Sequence, residues 1–224
     1  MRRLPLYLLT ILFLVSCEQD NYDKGEGEYS LMRADFVEAH VGSDLRVDYI
    51  VTDDGDSLAT EPHFTVKAIQ KGDTVYRAAL YYNKVKNSQG QTVAEAKGMS
   101  IVPTLVPAMP DKFEEILTDP VKFESMWMAT NGRYLNASII VMTGQPDEED
   151  SRQTIALVQD DVLTHADGKQ TVCYRLYHDQ GGVPEYYSMQ TYFSIPTNSL
   201  NADSLHLTIN TYNGEIVKCV AIKK

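Results

Sequence analysis

Apolar and polar residues alternate along most of the chain, in segments cut by clusters of Asp, Asn, Gly and Pro. Leu45, Val47, Tyr49 and Val51 alternate with Arg46, Asp48 and Ile50 ahead of Asp53-Asp54-Gly55-Asp56. A period of two that runs into a turn cluster predicts a β-strand and a hairpin turn. The same pattern predicts strands over 63–69, 74–85 and part of 92–102. Pro103, Pro107 and Pro110 forbid a regular central strand, so the domain boundary is expected in this stretch. Asp111 with Glu114 three residues on predicts one or two helical turns over 111–117, stopped at Asp119-Pro120.

The second half alternates more densely. Strands are expected near 121–130, 133–143, 152–160, 171–178, 185–195, 204–212 and 215–222. Asn131-Gly132 and Asn213-Gly214 read as two-residue hairpin turns, because both residue types tolerate positive φ. Seven short strands predict an antiparallel β-sandwich of immunoglobulin-like kind, and four or five strands before it fit a small barrel. Trp127, in phase with Phe123 and Ala129, reads as a core residue.

The first residues follow a different logic. Arg2 and Arg3 precede an apolar run from Leu4 to Val15, which ends Leu14-Val15-Ser16-Cys17. The run suits a signal peptide and falls short of the ~20 residues that span a bilayer. Small residues ahead of a thiol resemble a bacterial lipobox, with lipidation expected at Cys17 and residues 1–16 removed. Residues 17–30 are acidic and polar, as a flexible tether would be. The whole chain carries 20 Lys+Arg against 31 Asp+Glu, and removing the signal takes away two more bases. A charge of that sign repels a phosphate backbone, so no nucleic-acid partner is expected.

Several stretches together resemble the NigD-like lipoproteins of Bacteroidetes. They are the lipobox with its acidic continuation, Val51 to Leu58, Asp119 to Trp127 with Arg133 to Asn136, and Tyr174 to His178 through Tyr192 to Pro196 and Leu205 to Ile209. The resemblance implies an OB-like barrel over 31–112 and an Ig-like sandwich over 113–224. It also implies a lipid-anchored protein of the outer membrane or cell surface, with no established activity. Asp56-Ser57-Leu58, Asp73-Thr74-Val75 and Asp203-Ser204-Leu205 are similar to the O-glycosylation pattern of those bacteria, which marks Ser57, Thr74 and Ser204 as candidate sites.

Candidate chemistry is sparse. No two histidines stand at metal-ligand spacing, although His178 and His206 fall on strands that could be neighbours. Asp53 to Asp56 reads as a turn and Asp147 to Asp150 as a solvated loop, so no metal or cofactor is expected. Cys173 and Cys219 are candidates for a disulfide or for two small core residues. The chain is therefore expected to be a non-catalytic binding or accessory protein, with an envelope protein or a glycan as partner. The alternatives are a surface glycan-binding protein, marked by an exposed aromatic platform, and a hydrolase at the domain interface, marked by two converging carboxylates.

Overall fold

The computed structural model describes residues 31–146 and 151–222. The lipobox, Cys17, the tether from 17 and the acidic run at 147–150 lie outside these described residues. Met32 onward forms one compact unit.

Five strands close a barrel: β1 (Arg33–Val41), β2 (Val47–Thr52), β3 (Ser57–Phe64), β4 (Thr74–Lys86) and β5 (Thr92–Ile101). Their order around the barrel is β1-β2-β3-β5-β4, with β1 pairing antiparallel to both β2 and β4. The parallel contact of β3 with β5 at Thr60 and Ala94 completes the ring, giving the OB topology. Val37, Ala39, Val47, Ile50, Leu80 and Tyr82 fill its core.

Two expectations for this half change. β1 lies ahead of the first predicted strand, and in place of the strand predicted over 63–69 the chain forms β3 at Ser57–Phe64. β2 also faces differently from its simple alternation. An irregularity in the pairing of β2 with β3, between Val47 and Tyr49, accompanies a change of phase. Val47, Ile50 and Thr52 consequently point inward, and Tyr49 is exposed.

The sandwich follows. β6 (Lys122–Met128), β7 (Tyr134–Thr143) and β10 (Tyr187–Pro196) form one sheet, in the order β10-β7-β6. β8 (Thr154–Thr164), β9 (Gln170–Asp179), β11 (Ser204–Thr211) and β12 (Gly214–Ala221) form the other, in the order β12-β11-β9-β8. Leu135, Ile139, Leu157, Phe193, Leu205 and Leu207 meet between them. All the pairs are antiparallel except β9 with β11. The chain leaves β9 for β10 in the opposite sheet and then returns, so that up-down-up course brings β11 back in the direction of β9.

The proline-marked stretch is stitched to the sandwich. Thr104 bridges Ser194, Ala108 bridges Val158, Thr118 bridges His178 and Val121 bridges Thr211. The expected helix over 111–117 reduces to a 3-10 turn at Pro110–Lys112, capped by no side chain. Seven residues make a marginal helix, and the backbone here is extended again by Phe113.

Both expected hairpin turns shift. Thr211 pairs with Gly214, so the β11–β12 loop is Tyr212-Asn213. The β6–β7 connection lengthens, with Ala129 donating its N–H to the Tyr134 carbonyl at 2.8 Å. The extra length lets Asn131 reach the barrel. Its N–H bonds the Asp53 carbonyl at 2.8 Å, and its side-chain amide bonds the Thr52 carbonyl at 3.1 Å.

Candidate functional site

The residues singled out in the sequence do not converge. Cys173 and Cys219 are free thiols, each in register with His206 from opposite sides. With β11 between them, their Cα atoms stand two strand spacings apart, about 9.6 Å. That exceeds the ~7 Å reach of a disulfide, so the candidate bond is not formed. Burial, with a smaller contribution from Asp161, raises the Cys173 thiol above its ordinary value. The core-residue alternative fails as well, since Cys219 is exposed.

His178 and His206 do not meet. His178 is buried on the inward face of β9, its Nδ1 3.0 Å from the Asp119 carbonyl, whereas His206 lies on the outer face of β11. Ser57 is exposed and Thr74 half-buried. The Ser204 hydroxyl is 2.6 Å from that of Thr171, which also meets His165. Among the described residues, no group of three His, Cys, Asp or Glu could hold a metal ion, and no helix is long and apolar enough to cross a membrane.

What the fold does bring together is a buried polar cluster where the barrel meets the sandwich. Arg77 of β4 is its centre. Its Nη2 donates to Asp53 Oδ2 at 2.7 Å and to Asn136 Oδ1 at 3.0 Å, and its Nε donates to Ser194 at 3.1 Å. Nη1 lies 2.7 Å from Asp53 Oδ1 as an ion pair, off the line of a hydrogen bond. Asn136 donates to Asp53 at 2.8 Å, and Ser194 donates to Asn136 at 2.7 Å. The guanidinium is also 4.1 Å from the Tyr134 ring centre, within cation–π range.

Sequence reasoning missed all four members. Asp53 looks like a turn residue, and the others stand on strands. The available signal was polarity at fully buried strand positions, since Asn136 and Ser194 are both completely covered.

A second cross-domain group flanks the first. Glu38 of β1 is buried, accepts a hydrogen bond from Tyr134 at 2.8 Å and pairs with Arg133 at 2.6 Å. Burial first, then the bond to Glu38, pushes the Tyr134 phenol up to about 12. Burial also lowers His40 on the same strand.

Beside the cluster opens a cleft of about 340 Å³, walled by Phe36, Asp35, Asp53, Asp54, Tyr81, Trp127 and Tyr192, among others. It is built from both domains. Trp127 corrects the expectation of a core residue, being 38% exposed. The register of β6 shifts between Phe123 and Ser125, so Met126 and Met128 turn to the core and Trp127 turns outward. Its ring lies 5.6 Å from Phe36, which meets Tyr192 edge-on at 5.4 Å. A neighbouring cavity of about 410 Å³ shares Ala79, Tyr81 and Tyr192 in its wall.

Two of the three carboxylates that line the cleft are already engaged. Asp53 serves Arg77 and Asn136, while Asp35 accepts from Arg33 at 2.8 Å and from the Tyr82 hydroxyl at 2.7 Å. Burial, with that bond to Asp35 second, raises the Tyr82 phenol well above its ordinary value.

Comparison with known proteins gives these features a context. Residues 104–223 match the family described as the NigD-like C-terminal beta sandwich domain. A NigD-like immunity protein from Bacteroides caccae shares 20% identity and a TM-score of 0.62, over 83% of this chain and 91% of that one. A protein provisionally called toxin-related, from Parabacteroides distasonis, shares 18% identity at a TM-score of 0.62, over 84% and 92%. A candidate lipoprotein from Bacteroides fragilis shares 10% identity at 0.59, over 86% and 99%. At these identities the likeness is one of fold. No curated protein matches the chain.

Proposed function

The chain belongs to the NigD-like family, and from that premise we propose that it is a lipid-anchored protein of the outer membrane that works by binding, with no catalytic step of its own. The observation that carries this reading is the open aromatic cleft, whose walls come from barrel and sandwich together and are braced by the Arg77 cluster. Such a site is pre-formed, which suits ligand capture without a closing motion. Anchoring draws support from Leu14-Val15-Ser16-Cys17 and from the candidate lipoprotein that shares the fold.

A binding role also draws support from the carboxylates. Hydrolysis by paired acids needs one group free to give a proton and another free to attack or to activate water. Asp53 and Asp35 instead hold internal donors. Nucleic acid has no part in this reading, given 31 acidic against 20 basic residues.

The chain has one tryptophan, so a 5-fluorotryptophan-labelled protein gives a single fluorine resonance that reports on the cleft. Adding a detergent extract of the producing bacterium's envelope is expected to shift or broaden that resonance. A resonance unchanged at saturating extract overturns the reading.

A further inference from the structure

Resting on the reading of the cleft as a binding site, we propose that its ligand is a neutral, hydroxyl-rich ring compound, namely a stretch of oligosaccharide stacked across Trp127 and Tyr81. Three observations point there. The first is the ring surface. Tyr81 is 46% exposed and Trp127 38% exposed, so both keep surface available to a ligand. Trp127 and Tyr192 are braced by Phe36 between them. Rigid aromatic side chains offer contact area at low entropic cost, and the C–H face of a pyranose is an apolar surface that suits them.

The second observation is charge. Three carboxylates line the cleft, which at first suits a cation. Two of them already face arginines: Asp53 is paired with Arg77 and Asp35 with Arg33. Arg33 also stands 3.6 Å from Asp54. A cationic ligand would meet acids whose charge is already offset by Arg77 and Arg33. Pairing reduces the net field and leaves acceptor lone pairs, since a carboxylate has about four. Asp54 has the most to spare. Its side chain is 59% exposed and accepts a hydrogen bond from Thr130 at 3.1 Å. Hydroxyl groups are the neutral donors that use such acceptors.

The third observation is extent. The two cavities, about 340 and 410 Å³, share Ala79, Tyr81 and Tyr192 in their walls, so binding surface lies on both sides of these residues. The second is lined by Ser100, Gln190 and Thr191, whose side chains carry both donors and acceptors. Aromatic and apolar residues interspersed with polar side chains are the lining expected for sugar rings, and both volumes lie in the usual range for ligand sites.

The test titrates the full chain in detergent with cellohexaose, maltohexaose, xylohexaose and mannohexaose, and with hexalysine as the cationic comparison, following Trp127 emission. At least one hexasaccharide is expected to give a saturable change below about 10 mM, and hexalysine none. Tyr81→Ala is expected to weaken that binding about tenfold, with Tyr81→Phe intermediate and both variants folded by circular dichroism. The inference is overturned if no hexasaccharide changes the emission, if hexalysine alone does, or if Tyr81→Ala binds as the parent does. A silent panel beside a fluorine resonance that still shifts with envelope extract rejects the sugar and leaves the binding role standing.

Discussion

Replacing Arg77 with methionine is expected to lower the unfolding free energy by about 3–5 kcal/mol, the usual cost of removing one partner from a buried ion pair. Arg77 is 5% exposed and the Asp53 side chain 16% exposed, so water cannot replace the lost donors cheaply. Methionine keeps the apolar stem but leaves Asp53 with Asn136 as its remaining side-chain donor. It also removes the donor that Asn136 and Ser194 share. Arg77→Lys should fall between, because an ammonium cannot reproduce the forked contacts to Asp53, Asn136 and Ser194. The pair Asp53→Asn with Arg77→Met should recover much of the loss, since no buried charge then stands alone. Chemical denaturation of the full chain, followed by far-ultraviolet circular dichroism, measures all three. A loss under about 1 kcal/mol for Arg77→Met would show that the cluster does not hold the two domains together.

Replacing Cys17 with alanine is expected to move the protein from the membrane fraction to the soluble fraction, or to leave it unprocessed with its signal attached. On the lipobox reading the Cys17 thiol is the acceptor for the lipid, and alanine offers no nucleophile at the cleavage edge. Each buried methylene of an acyl chain contributes about 0.8 kcal/mol to anchoring, so a protein that never receives its acyl chains is expected to lose most of its membrane affinity. Fractionation with immunoblotting and intact mass reads the outcome. A Cys17→Ala protein that is processed and stays with the outer membrane at parental levels contradicts the lipobox assignment.

The sandwich was legible chiefly because its four-stranded sheet is covered on one face only. Leu205, Leu207 and Ile209 on β11, like Val172, Tyr174 and Leu176 on β9, alternate without interruption. The barrel was less so. β1 carries Asp35 and Glu38 within its run, and much of what makes them tolerable is distant in sequence: Tyr82 beside the local Arg33 for the first, Arg133 and Tyr134 for the second. Pairing irregularities hid more. Those near Val47 and Phe123 each go with a half-period slip, and the second one put Trp127 on the wrong face of the expectation. An irregularity of this kind comes from pairing with another strand and leaves no local signature.

The site itself was the least legible part. Asp53 was correctly placed in a turn, yet its partners stand 24 and 83 residues away on strands of both domains. Alternation says which side of a strand a residue faces. It does not say which distant strand supplies its hydrogen bond.

Hydrogen exchange on the full chain, with and without envelope extract, tests the central claim most directly. The account expects slowed exchange in peptides covering 34–36, 53–54, 79–81 and 190–192, with the outer strand β12 unchanged. Protection confined to β12, or none at all at saturating extract, would contradict it.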